Sequence, residues 1–124
     1  MNKFFVAGNV PSSKNSKVWT GRFLVWSKTA KRYVKETESR WKELASEFQK
    51  ERIELRQTYP IKVSFKFIRG SKHKFDYVNP LQTVLDLMVW YKWIPDDNAD
   101  VILPVFEPYE YNRDFPGVVI KIIN

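Results

Sequence analysis

The chain has 124 residues, a formal net charge of +7, 44% hydrophobic residues and no cysteine. This length fits one domain spanning 1–124 with a core of its own, and the apolar content excludes a disordered chain. Disulfides and thiolate metal sites are excluded too, and no apolar run nears the roughly 18 residues a membrane span needs.

Lys3 to Ala7 reads as a short strand closed by Gly8 and Asn9. Met1 to Val10 is too short, and too quickly broken by Gly8 and Pro11, for a secretory signal, so the expected compartment is the cytoplasm. Val10 to Lys17, VPSSKNSK, is a polar loop whose hydroxyl, amide and lysine donors, Lys14, Asn15 and Lys17 among them, suit phosphate oxygens. Taken alone it is equally a plain surface loop. Trp19 to Trp26 alternates loosely around Gly21 as a strand or hairpin arm.

Ser27 looks like the cap of a long helix reaching about Leu55, with Tyr33, Thr37, Trp41, Leu44 and Phe48 on one stripe. Lys28, Lys31, Arg32 and Lys35 crowd its first turns, where the helix dipole prefers anions. A tolerated cost of that kind hints at a phosphate track, against the plainer reading of a solvated basic face. Tyr59 and Pro60 close this region. Ile61, Val63, Phe65 and Phe67 then alternate with Lys62, Ser64, Lys66 and Ile68 as a strand with one buried face. Arg69 to Lys74, RGSKHK, is a basic turn, and its lone His73 is assigned no catalytic role.

Asn79 and Pro80 mark the start of a second, shorter helix, and Leu81, Val84, Leu85, Met88 and Val89 make its apolar face. Gln82 and Asp86 sit one turn apart on another face. The helix must stop before Pro95. Asp96, Asp97, Asn98 and Asp100 follow in a turn whose plain reading is carboxylates bonding their own backbone. Val101 to Phe106 and Val118 to Ile123 are two more strands, hairpin-like in spacing, joined by EPYEYNRDFPG. The order predicts an α+β fold: a single domain with a mixed β-sheet and one long and one short helix covering one face.

Charge is unevenly laid out. Met1 to Lys35 carries eight basic residues and no acidic one, whereas Phe75 to the end carries three basic and eight acidic. The basic part suits a polyanion, which the acidic part would repel unless cations neutralise it. That is the logic of a metal-dependent enzyme acting on nucleic acid.

With these features in this order, the chain resembles the RusA-type Holliday junction resolvases, small endodeoxyribonucleases of phages and prophages. The resemblance rests on Pro11, Ser12, Ser13 and Asn15 in the early loop, on Phe75, Asp76 and Asn79 before the short helix, on Asp86 in VLDLM, and on the pair Asp96 and Asp97. It implies a homodimer that binds four-way branched DNA and makes paired nicks with Mg²⁺, for which Mn²⁺ can substitute, in DNA recombination and repair. Two positions depart from the family pattern: Val78 stands where a second aspartate is usual, and Gln82 where a lysine is usual.

The resemblance implies Asp76, Asp97 and Asp96 as catalytic carboxylates, with Asp76 and Asp97 as metal ligands; Asp100, beyond the usual pair, is a candidate metal ligand in place of the missing carboxylate, and Asp86, Asn79 and Gln82 are candidates for support. Lys14, Asn15, Lys17, Lys28, Lys31, Arg32, Arg69, Lys72 and Lys74 are the expected DNA contacts. Asp86 has a competing structural reading, bonding its own helix surface. Geometry poses a question, since a helix of about 14 residues separates its ends by roughly 20 Å. Either the segment after Trp93 folds back along the helix, or a two-fold axis brings a second copy of the helix alongside. Trp90, Tyr91 and Trp93 are candidates for a dimer contact or for stacking on unpaired bases, with core packing as the plain reading. The competing class is a catalytically weak or inactive junction-binding module of the same fold.

Overall fold

Period-two burial builds the sheet. In strand β4 (Ile61–Arg69), Ile61, Val63, Phe65 and Phe67 are all fully buried, while Lys62 between them is exposed. Strand β7 (Gly117–Ile122) lies antiparallel to β4 and buries Val118, Ile120 and Ile122 on the same side. Strand β1 (Phe4–Ala7) extends the sheet antiparallel to β7, adding Phe4 and Val6. Strand β5 (Ile102–Phe106) lies parallel to β4 on its other side, and the two-residue β6 (Glu110–Tyr111) pairs parallel with Ile68 and Arg69 farther along β4. The computed structural model describes residues 2–12, 17–19 and 24–123, so Lys14 and Asn15 of the early loop lie outside the described residues.

The final strands do not form a hairpin. β4 stands between β5 and β7, and the loop between those two contains β6, which spacing alone did not reveal. A separate antiparallel hairpin is made by β2 (Lys17–Trp19) and β3 (Leu24–Trp26), so Lys17 belongs to a strand and not to the loop before it.

Two helices cover the inner face of the sheet. Helix α1 (Lys28–Glu54) is capped as expected: the Ser27 Oγ accepts from the Ala30 N–H at 3.2 Å. Its stripe of Tyr33, Thr37, Trp41, Leu44 and Phe48 is buried throughout. Helix α2 (Val78–Trp90) starts earlier than its sequence suggests, with Tyr77 in the cap position and no side-chain cap bond. Asn79 is therefore inside the first turn, and Pro80 follows it there, where a missing N–H costs no helical bond. Leu81, Val84, Leu85, Leu87 and Met88 of α2 are buried in the core shared with α1 and the sheet. The architecture is a single-domain α+β fold with a mixed five-stranded sheet and two helices. Among the described residues, no helix is long and apolar enough to cross a membrane.

Candidate functional site

The site is built by the way α2 ends. Trp93 N–H donates to the Met88 carbonyl at 2.8 Å and Lys92 N–H to that of Val89 at 3.2 Å, while Lys92 holds a left-handed φ of 65°. These paired bonds are a Schellman stop, made here without glycine. Pro95, expected to set the limit, lies beyond a helix that has already ended. The chain is then locked down by Trp93, which is fully buried and not the exposed aromatic its sequence position suggested. Its indole N–H donates to the Trp41 carbonyl at 2.9 Å, and its ring stacks among Phe4, Trp41 and Phe48. Gln49 of α1 donates to the Trp93 carbonyl at 2.5 Å. Trp90, by contrast, is 76% exposed.

With its start fixed in this way, the following turn runs back along α2. Gln82, in the second turn of the helix, donates from one amide nitrogen to Asp86 Oδ1 at 2.8 Å and to Asp97 Oδ2 at 3.2 Å. Asp97 thus shares a partner with Asp86 despite the distance between them in sequence. Asn79, one turn before Gln82, donates to Asp76 Oδ2 at 3.3 Å. Asn79, Gln82 and Asp86 therefore form one polar stripe on α2, Asp76 meets it from just before the helix, and Asp97 joins it from the returning turn. Within one chain, the segment after Trp93 therefore folds back as far as the second turn of α2.

Asp96 and Asp97 do different things. Asp96 Oδ1 accepts from the Asp97 N–H at 2.8 Å, and Asp96 Oδ2 accepts from the Asn98 amide at 3.0 Å. Those two bonds, the backbone one foremost, hold the Asp96 carboxyl below its ordinary pKa. Asn98 in turn accepts from the Asp100 N–H at 2.9 Å. Asp96 and Asn98 thus shape the turn, Asp97 faces α2, and Asp100 is exposed without a contact to either Asp86 or Asp97. A cavity of about 570 Å³ opens beside the stripe, lined by Asp86, Asp96 and Asp97 and by the apolar Val34, Leu87, Val89 and Trp90.

Cations flank both ends. Lys31 of α1 lies one turn before the cavity-lining Val34, and Lys28, Lys31 and Arg32 are all exposed. At the Asp76 end, Ser12, Arg69, Lys74 and Asn79 line a second cavity of about 310 Å³ with Asp76 itself. The early loop is drawn to this end by two bonds: Arg69 Nη1 donates to the Val10 carbonyl at 2.7 Å and the Thr83 hydroxyl to that of Pro11 at 2.9 Å. Partial burial lowers the Arg69 pKa from its usual high value. Asp76 and Asp97 thus line different cavities along one helix.

Gln82 meets both carboxylates through its amide nitrogen, so the oxygen donors gathered here are those of Asp86 and Asp97. Mg²⁺ takes such ligands, commonly one or two carboxylates with waters and a substrate phosphate completing its shell. Among the described residues, no three of histidine, cysteine, aspartate and glutamate gather as a metal cluster. The two carboxylates brought to one partner are Asp86 and Asp97, while Asp76 lines the other cavity. Sequence reasoning missed the exposed rings of Tyr109 and Tyr111 beside the basic turn, although their alternation with Glu110 in PYEYN was a visible signal. Compared with known proteins, the chain matches no family model and no curated protein.

Proposed function

We propose that this protein is a Mg²⁺-dependent endodeoxyribonuclease that resolves four-way branched DNA by paired phosphodiester hydrolysis. The observation that carries the reading is the return of Asp97 onto Gln82, which also bonds Asp86, beside a cavity that Val34 of the basic helix α1 helps to line. Asp86 and Asp97 would hold the metal, and Mn²⁺ could take its place. Bound there, such an ion would supply polarisation of a phosphoryl oxygen and a lowered pKa for an attacking water. Asp96 keeps Asp97 in position through the turn. Lys28, Lys31 and Arg32 hold phosphates near Asp97, and Arg69 and Lys74 hold those near Asp76. A homodimer supplies the two sites that two matched cuts require.

A second reading is favoured by one contact. The Gln82 N–H group lies between the two carboxylates and compensates their charge without a metal, as suits a module that binds junctions and does not cut them. Incubating the protein with a synthetic four-way junction and a linear duplex of the same arms, in Mg²⁺ and in Ca²⁺, separates the two. The nuclease reading expects paired nicks in the junction alone and in Mg²⁺ alone. Tight junction binding with no cut in any metal establishes the binding module, and equal affinity for linear duplex overturns both.

A further inference from the structure

The basic turn and β6 carry an aromatic surface that the proposed hydrolysis does not use. The Arg69 guanidinium lies 4.9 Å from the centre of the Phe75 ring, and the Lys72 ammonium 5.0 Å from that of Tyr111. Phe75 meets Tyr109 edge-on at 4.9 Å and Tyr77 at 5.5 Å, and Tyr77 lies 5.0 Å from Phe106. Phe75 and Tyr77 pack against the core, and the other rings of the cluster stand out from it. Phe106 is 38%, Tyr111 42% and Tyr109 48% exposed, whereas Trp41, Trp93, Phe48, Phe65 and Phe67 are sealed from solvent.

The backbone holds the surface in place. β6 pairs with Ile68 and Arg69, the Asn112 N–H donates to the Arg69 carbonyl at 2.9 Å, and the Tyr109 N–H donates to the Tyr77 hydroxyl at 3.1 Å. Of the neighbouring carboxylates, Glu110 is engaged by Lys66 at 3.3 Å, while Glu107 and Asp76 border the rings. Ordered, half-exposed rings interleaved with Arg69, Lys72 and Lys74 match a ligand that is flat, aromatic and anionic along its backbone.

We propose that this surface binds unpaired bases of DNA: Tyr109 and Tyr111 stack on the bases, and Arg69, Lys72 and Lys74 hold the flanking phosphates. The inference rests on the reading of the protein as DNA-binding and deepens it. It places the unstacked nucleotides of a branch point at the Asp76 end of α2, away from the exposed Trp90.

Fluorescence anisotropy with a labelled oligothymidine of about 20 nucleotides tests it, comparing the wild type with Tyr109→Leu/Tyr111→Leu and Tyr109→Phe/Tyr111→Phe. The leucine pair should weaken single-strand binding by about tenfold or more, and the phenylalanine pair should bind as the wild type does. Lys72→Gln, an exposed change that leaves the rings in place, should give a smaller loss. A leucine pair that binds like the wild type overturns the inference. A wild type that binds the four-way junction but no single strand overturns it too and leaves the DNA reading intact. Binding to neither DNA removes the DNA reading itself, and tighter binding to oligouridine assigns the surface to RNA instead.

Discussion

Adjacent aspartates with the same side chain are given different work by their hydrogen bonds. Asp96 accepts from Asp97 N–H and from Asn98, so its carboxylate is spent on the turn, while Asp97 is left to face Gln82. The sequence motif cannot separate them, because an aspartate that bonds its own backbone and one that faces a partner read identically. The difference has a pH signature. The Asp96 pKa is depressed in the folded protein, so its stabilising effect is complete above its unfolded value and is lost as pH falls through the lower folded value. Asp96→Ala should therefore melt below the wild type at about pH 7, with the gap narrowing once pH drops below about 4. Thermal melts across that range check it, and a gap unchanged in acid contradicts it.

At the scale of elements, the legible parts were those set by local periodicity. The steps through Tyr33, Thr37, Trp41, Leu44 and Phe48 define α1, and the alternation from Ile61 defines β4. Where the chain turns by long-range packing, the sequence was silent. The end of α2 is a Schellman stop at Lys92, a residue with no preference for a left-handed backbone, and the return of Asp97 depends on Trp93 entering a pocket made by Phe4, Trp41 and Phe48. No local pattern marks Trp93 as more buried than Trp90. Nor does spacing reveal that β4 separates β5 from β7, since strand neighbours are chosen by the whole sheet. Trp93→Ala should accordingly cost about 3–5 kcal/mol in urea unfolding, the range for deleting a large buried aromatic. A loss under about 1 kcal/mol would show that Trp93 does not fix the turn.

For the whole molecule, charge and fold point the same way. The basic N-terminal third supplies the first turns of α1, and the acidic C-terminal part supplies α2 and the returning turn. Packing α1 against α2 in one core brings Val34 of the basic helix to the wall of the cavity that Asp86, Asp96 and Asp97 line. In the proposed function, a polyanion drawn to the lysines would reach the carboxylates, where a divalent cation would offset the repulsion. The early polar loop is tied by Arg69 and Thr83 to the opposite end of the same helix. One helix thus borders both the cavity lined by Asp97 and the cavity lined by Asp76.

In the proposed function, Asp97, returned onto α2, is part of a metal centre that cuts DNA. The most direct measurement is the nicking rate of a four-way junction in Mg²⁺ by the wild type and by Asp97→Asn, side by side. The account predicts paired nicks from the wild type and a rate lower by about 100-fold or more in the variant, which keeps the shape of the turn but loses the charge. An Asp97→Asn protein that nicks the junction as fast as the wild type would contradict it.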